Sequence, residues 1–134
     1  MNEQPKGVIA TVADREREGW DEPSRGNASW FTLFSSEITP TVAMSTGIME
    51  LEPKVGVLKP HRHRQAEIYF VCDGTGELTI GGVATTITRG TAAFIPGDAE
   101  HSVRNDGDAV LRIFYVFPTD SFGEIIYRFP PYSG

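Results

Sequence analysis

The sequence predicts an all-β protein of one domain, and three observations support this prediction. Fourteen glycines and nine prolines punctuate the 134 residues, which is typical of a chain with many turns. The runs between them are short and rich in Val, Ile, Thr and Phe, as strands are. The length suits one domain of ordinary size, and the spacing of the runs indicates a sandwich or barrel.

The first 29 residues are polar and mixed, and we interpret them as an arm packed on the domain that residues 30–134 form. Within the arm, the segment from Val8 to Val12 is predicted to be an edge strand. The segment from Asp14 to Glu18 is predicted to be a charged turn or short helix before Gly19. Helix is expected only in this part of the chain.

After the arm, apolar runs recur with turn residues between them. Gly81-Gly82 separates two alternating runs and therefore predicts a tight hairpin. The chain shows no internal repeat and no low-complexity tract. The strands are predicted at approximately residues 30–34, 41–51, 55–58, 67–71, 77–80, 83–87, 91–96, 102–104 and 110–117.

One of these predicted strands has two chemically different faces. Because side chains alternate along a strand, Glu67, Tyr69 and Val71 are predicted to share one face, and Ile68 and Phe70 the other. The first face would therefore carry a carboxylate and a phenol.

Charge and composition limit the partners. A formal net charge of −6 and a pI near 5.0 argue against nucleic acid, since its phosphates would be repelled and no basic cluster offsets this. No stretch reaches the roughly 20 apolar residues of a membrane span, and no signal region is evident, so we expect a cytoplasmic protein. Cys72 is the single cysteine, which excludes an internal disulfide and predicts a buried, inert thiol. The expected partner is a small molecule or another protein chain.

All three histidines of the chain occur in a pattern that suits a metal site. His61 and His63 lie two residues apart, so both would point to one side of a strand while Arg62 points away. Glu67 follows on the next run, and His101 lies much later, after a turn. Three imidazoles and a carboxylate suit a divalent transition metal with positions open to water or substrate. A bare His-x-His is weak evidence, since it also occurs on exposed strands.

The wider pattern resembles the two motifs of the cupin family. The first motif, G-x5-HxH-x3-E-x6-G, has its opening glycine replaced by Val55, with Gly56 next to it. The second, G-x5-PxG-x2-H-x3-N, has its middle glycine replaced by Asp98, with Gly97 before it. These departures are expected to affect turn geometry only. The remaining motif positions are all matched, by His61, His63, Glu67, Gly74, Gly90, Pro96, His101 and Asn105.

This resemblance implies a cupin double-stranded β-helix, or jelly-roll barrel, with the metal motifs inside residues 56–105. It implies that His61, His63, Glu67 and His101 bind a divalent transition metal, either Fe, Mn, Ni, Co or Zn. Such sites are selected by geometry and supply, and the sequence does not choose among these ions. Small cupins commonly form homodimers, and Ile68 and Phe70 are expected contacts.

Residues from about 60 to 130 resemble more narrowly the cupin-type dimethylsulfoniopropionate lyases. These enzymes form dimethyl sulfide and acrylate by β-elimination, with a divalent metal holding the substrate carboxylate and a tyrosinate removing the α-proton. Tyr69 matches that tyrosine, and Tyr127 matches a second tyrosine near the substrate, to which a positioning role or a share in proton transfer is assigned. Either tyrosine alone would also be compatible with an ordinary place in the core.

Aromatic residues near the motifs suggest how a sulfonium cation would be held. Trp30, Phe114, Tyr115 and Phe117 are predicted to line a cavity and to present their ring faces to such a cation.

Other functions stay open at the level of the sequence. Three histidines and a glutamate also serve non-haem iron dioxygenases and sugar or keto-acid isomerases, because the fold alone does not determine the reaction. A binding or sensor module would use the same barrel without catalysis. A storage-like fold would use it without a metal. Oxygen consumption or a strict need for ferrous iron would favour the oxygenase.

Overall fold

A computed structural model describes residues 4–132, which form two antiparallel sheets, and the all-β prediction is confirmed. Two short 3-10 turns, Val12–Asp14 and Phe122–Glu124, are the helical elements within this range. The strands are β1 (Glu18–Gly19), β2 (Ser29–Phe34), β3 (Ser45–Leu51), β4 (Val57–His61), β5 (Glu67–Asp73), β6 (Thr75–Ile80), β7 (Val83–Thr88), β8 (Ala92–Ile95), β9 (His101–Arg104) and β10 (Leu111–Phe117).

The strands are divided between a large sheet, in the order β1-β2-β3-β10-β5-β8, and a small sheet, in the order β4-β9-β6-β7. The chain crosses repeatedly from one sheet to the other, as it does in a jelly roll. Apolar side chains from both sheets meet between them, and Leu51, Ile95, Leu111 and Ile113 are completely buried there. Burial of this apolar surface is the main force that holds the two sheets together.

Strand β5 shows the predicted alternation. Glu67, Tyr69 and Val71 are buried, whereas Ile68 and Phe70 are 46% and 43% exposed on the outer face of the large sheet. The predicted hairpin at Gly81-Gly82 joins β6 to β7. Both glycines have positive φ, at +56° and +83°, which is why this two-residue turn favours glycine.

Two predictions outside the barrel core are wrong. The segment from Val8 to Val12 is not a strand, because its pattern has too few apolar contacts to add an edge; the chain instead forms the 3-10 turn that begins at Val12. Cys72 is only half-buried, because it continues the outward face of β5 that Ile68 and Phe70 begin.

The turn that precedes β9 explains one departure from the cupin motif. Asp98 occupies the position of the missing glycine and has a φ of +63°. Aspartate is among the residues that tolerate this left-handed conformation best after glycine and asparagine. The turn therefore keeps its shape and carries a carboxylate in place of a hydrogen.

No helix within residues 4–132 has the length and apolar character that crossing a membrane requires.

Candidate metal centre and adjoining cavity

The three histidines converge at one end of the barrel, two from strands of the small sheet and one from the segment that follows β4. His61 is the last residue of β4 and pairs directly with His101, the first residue of β9. His63 lies beyond the end of β4, so the expectation that one strand carries both His61 and His63 is wrong in that detail. The strand stops because Arg62 pairs with Arg128 and a bend follows at residue 64. All three side chains are nevertheless at most 1% exposed.

The second nitrogen of each imidazole is fixed by the backbone. Nδ1 of His61 lies 2.8 Å from the carbonyl of Lys59. The corresponding distance is 2.9 Å both from His63 to the carbonyl of Gln65 and from His101 to that of Ala99. A carbonyl oxygen only accepts hydrogen bonds, so Nδ1 of each ring carries the proton and Nε2 of the neutral ring is a free acceptor. Metal-binding histidines are oriented in this way.

The free acceptors point at one another. One ring nitrogen from each histidine lies within 4.8 Å of the others. Among residues 4–132, Nε2 of His61 and of His101 finds no hydrogen-bond partner. Buried acceptors without partners are costly in a folded protein, so their clustering is itself a sign that something binds there.

Glu67 adds a carboxylate to this cluster from β5 of the large sheet. Its Oε1 lies 3.1 Å from Nε2 of His63 and 3.4 Å from Nε2 of His101, and the side chain is 4% exposed. Two acceptors at such distances repel each other unless a proton or a cation lies near both. Three imidazoles and one carboxylate are donors that Mn, Fe, Co, Ni and Zn all accept. The residues present therefore fit a divalent transition metal.

At His61 the surroundings disfavour a proton. Burial, with a smaller contribution from His101, lowers the pKa of His61 to about 3. The imidazole therefore stays neutral at physiological pH and available as a ligand.

A narrow cavity adjoins the cluster between the two sheets. Its volume is about 20 Å³, which is room for about one water molecule. Its wall is mainly apolar, with one carboxylate and three phenols, and this chemistry suits a small ligand once the cavity widens. The residues that line it are Trp20, Ala28, Trp30, Met49, Leu58, Glu67, Tyr69, Tyr115, Phe122 and Tyr127.

The structure places both predicted catalytic tyrosines in this wall. Tyr69 is 2% exposed, and its ring centroid lies 6.3 Å from that of His101. The ring of Tyr127 is closer, at 5.2 Å from His61 and 5.3 Å from His63. Burial, followed by the charge of Glu67, raises the pKa of each phenol well above its usual value. Without a cation, both tyrosines are therefore neutral at physiological pH.

The aromatic prediction is correct in part. Trp30 and Tyr115 line the cavity, and Phe117 packs against the ring of His63 at 5.2 Å. Phe114 does not reach the cavity, because it points outward from β10 beside Phe70. The sequence interpretation of that strand did not separate its two faces.

Two aromatic residues of the wall were not predicted. Trp20 lies in the polar arm, yet its ring packs at 4.9 Å from Trp30 and 5.1 Å from Tyr127. Phe122 lies in the second 3-10 turn and packs at 5.9 Å from Trp30. The signal for Trp20 was present, since a large aromatic residue in a charged segment is normally anchored by packing.

A profile of the cupin domain matches residues 47–117. The dimethylsulfoniopropionate lyase DddW of Ruegeria pomeroyi is 40% identical over 111 residues, which are 83% of this chain and 72% of that enzyme.

Two solved structures have the same fold. The polyketide cyclase RemF of Streptomyces resistomycificus superposes with a TM-score of 0.75 at 21% identity, over 97% of this chain and 88% of that one. A cupin-2 domain protein of Rhodospirillum rubrum superposes with a TM-score of 0.76 at 17% identity, over 95% of this chain and 82% of that one. At these identities the likeness extends to the fold and not to the reaction.

Proposed function

This chain belongs to the cupin domain family, and we propose that it is a metal-dependent lyase that cleaves dimethylsulfoniopropionate, or a similar small carboxylate, to dimethyl sulfide and acrylate. One observation in the structure carries the proposal. Tyr69 and Glu67 lie on the same buried face of β5 and line the same cavity beside the histidine cluster. The identity of 40% with a dimethylsulfoniopropionate lyase supports this substrate.

His61, His63 and His101 would hold the metal through the ring nitrogens that face one another, and Glu67 through the oxygen that lies beside His63 and His101. When bound, a divalent ion supplies a Lewis acid for the substrate carboxylate and a positive charge that favours ionised tyrosine. The hydrogen bonds from the three Nδ1 atoms to backbone carbonyls keep the rings in their binding orientation before substrate arrives.

Tyr69 is the proposed base. Its oxygen takes the proton from the carbon next to the carboxylate. The electron pair of that C–H bond becomes the second bond of the acrylate C=C, and the bond from the neighbouring carbon to sulfur breaks. The sulfur keeps the electron pair of the broken bond and leaves as neutral dimethyl sulfide, so one proton is released for each turnover. Because the cavity raises the pKa of Tyr69, the phenol can act as a base only beside a cation.

The remaining wall positions the two ends of the substrate. Tyr127 packs against His61 and His63, so its proposed role is to hold the carboxylate end or to share in proton transfer. Trp20 and Trp30 form a T-shaped pair in the same wall. Their ring faces would attract the sulfonium end, because aromatic faces are electron-rich.

A homodimer is part of the same proposal. Ile68 and Phe70 are exposed on the outer face of the large sheet, and Phe94 on the neighbouring strand β8 is 65% exposed beside them. A second copy related by a two-fold axis would cover this apolar patch with its own identical patch. Sedimentation velocity on the protein and on Phe70→Lys tests the dimer, which the charged variant is expected to weaken.

The test of the activity is detection of dimethyl sulfide above purified protein that has been chelated and reloaded with Mn, Fe, Co, Ni or Zn. Tyr69→Phe is expected to lower kcat by about 10²- to 10⁴-fold, because general-base catalysis contributes about that much. Tyr115→Phe is the matched control. It removes a buried hydroxyl from the residue directly opposite Tyr69 on β10 and should lower kcat far less.

Metal content is measured on every sample, so that loss of the base is distinguished from loss of the ion. Metal-dependent release that Tyr69→Phe abolishes would support the lyase. Tight metal binding without release, for any of the five ions, would remove this substrate and favour the oxygenase, isomerase or binding functions.

A further inference from the structure

The segment 125–132, which we call the strap, closes the histidine end of the barrel. It follows the second 3-10 turn and belongs to neither sheet. One backbone bridge attaches it to the barrel: the amide of Arg62 donates to the carbonyl of Arg128 and the amide of Arg128 donates to the carbonyl of Arg62, both at 2.9 Å. Because Arg62 lies between two of the histidines, this bridge seats Tyr127 against their rings.

Asp98 also connects the strap to residues 61–63, the segment that carries two of the histidines. Its carboxylate forms an ion pair with the guanidinium of Arg128. Its backbone amide donates to the carbonyl of His63 at 2.8 Å, and its carbonyl accepts from Nη1 of Arg62 at 3.1 Å. A single turn residue therefore holds both the strap and the histidine segment.

The strap is also attached to the barrel by few backbone hydrogen bonds. The three histidines are at most 1% exposed and Tyr69 is 2% exposed, so a substrate cannot reach them in the closed structure. Most of the remaining wall belongs to sheet strands, whose displacement would break several hydrogen bonds at once. Opening the strap breaks the bridge at Arg62, the ion pair and the contacts near the chain end, such as the bond of 2.7 Å from the Tyr132 hydroxyl to Glu100. It also separates the ring of Tyr127 from those of Trp20 and His61. Segments with so few bonds open most readily.

We infer that Asp98 and Arg128 are positioning residues: their ion pair latches the strap, keeps Tyr127 against the histidines, and is released when a small carboxylate enters or leaves the cavity. The latch rests on the proposed function only for the identity of that carboxylate. The left-handed backbone of Asp98 contributes to the latch, because it turns the amide toward His63 while the side chain reaches Arg128.

Hydrogen exchange of the peptide that covers the strap tests the latch without any assay of activity. Asp98→Asn removes the charge and suits the left-handed backbone, and Arg128→Gln removes the partner charge. Each change is expected to speed exchange at the Arg128 amide about fivefold, the upper end for an exposed ion pair. The double variant should match either single variant, because both remove one interaction.

Arg112→Gln is the matched control. Arg112 is 47% exposed in its ion pair with Glu50 on the outer face, whereas Arg128 is 48% exposed in its pair with Asp98. The control should leave exchange in the strap unchanged. Unchanged exchange in Asp98→Asn and Arg128→Gln, or effects of the two that multiply in the double variant, would overturn the latch.

Turnover provides a second readout that separates positioning from general stability. With metal content unchanged, both single variants should lower kcat/KM for dimethylsulfoniopropionate by up to about fivefold, and the double variant by no more. A loss of kcat/KM that multiplies in the double variant would contradict a shared latch. Faster strap exchange in a protein that releases no dimethyl sulfide would leave the latch standing and reject the proposed substrate instead.

Discussion

The two ends of strand β9 both bury polar side chains, but they satisfy them differently. Asn105 directly follows the strand and is 1% exposed. Its Nδ2 donates to the carbonyls of Leu51 at 2.9 Å and Ala109 at 2.8 Å, and its Oδ1 accepts from the amide of Gly107 at 2.9 Å. At the start of the strand, His101 is just as buried, yet its Nε2 has no hydrogen bond.

This difference indicates that Asn105 has a structural role, whereas His101 is available to bind a ligand. Hydrogen bonds within the chain compensate the desolvation of Asn105, so this residue stabilises the end of the barrel on its own. The desolvation of Nε2 in His101 and His61 is not compensated within residues 4–132, and the missing interaction fits a metal ion. Both residues belong to the same sequence motif, which makes them a natural pair for mutation.

The largest expected effect is the loss of metal from His101→Ala. Removing one ligand should weaken binding by more than about a hundredfold, since even the outer partners of metal ligands contribute about 10- to 100-fold. Titration with Zn or Co against a competing chelator measures this. The free energy of unfolding of the metal-free variant should fall less than that of Asn105→Ala, because His101→Ala removes one hydrogen bond to the backbone whereas Asn105→Ala removes three. An unchanged metal affinity would mean that His101 is not a ligand.

Asn105→Ala should produce the opposite result. It leaves the carbonyls of Leu51 and Ala109 and the amide of Gly107 without their partner. We expect the free energy of unfolding to fall by about 3 kcal/mol, since a buried group left unsatisfied costs about 1–3 kcal/mol. Urea denaturation measures it. Metal affinity of the folded fraction should stay within about threefold of the original, and a large loss of affinity there would remove the distinction between the two ends.

The smallest effect, taken over a single pH unit, is the dependence of stability on pH, which of the two ends only the histidine end should show. Folding lowers the pKa of His61 from its ordinary value of 6.5 to about 3. Between these values the unfolded chain binds a proton that the folded chain excludes. The free energy of unfolding of the metal-free protein should therefore fall by up to about 1.4 kcal/mol for each unit below about pH 6.5, and this contribution should be absent at higher pH.

His61→Gln provides the control, because glutamine does not titrate. Its denaturation midpoints should depend less on pH between about 6.5 and 3 than those of the original protein. An equal dependence would assign the effect to other groups. In the metal-loaded protein, acid should also release the ion, as protons compete for the imidazoles.

Much of the site could be predicted because its signals are local in the sequence. Alternation in β5 depends on neighbouring residues only, so the inward face of Glu67 and Tyr69 was correct. The hairpin at Gly81-Gly82 could be predicted for the same reason, because two adjacent glycines determine the turn. The motif spacing brought together histidines from separate strands without any knowledge of the sheets.

The remaining features depend on contacts between distant segments. Trp20 joins the cavity because β1 pairs with β2 and brings the arm over the barrel, and no pattern near Trp20 reports that pairing. The end of β4 at His61 results from the bridge between Arg62 and Arg128, which are far apart in the chain. Phe114 points outward because of the register of β10, and a run of apolar residues does not reveal which of its members face inward.

The position of Asp98 has two requirements, a left-handed backbone and a carboxylate side chain. A glycine there would adopt the positive φ without the cost that any other residue pays, and it would also remove the carboxylate that binds Arg128. Replacement by glycine would therefore relieve the backbone cost and, at the same time, loosen the closure of the cavity. The backbone conformation favours glycine at this position, whereas controlled access to the cavity favours the carboxylate, so the two requirements select for different residues.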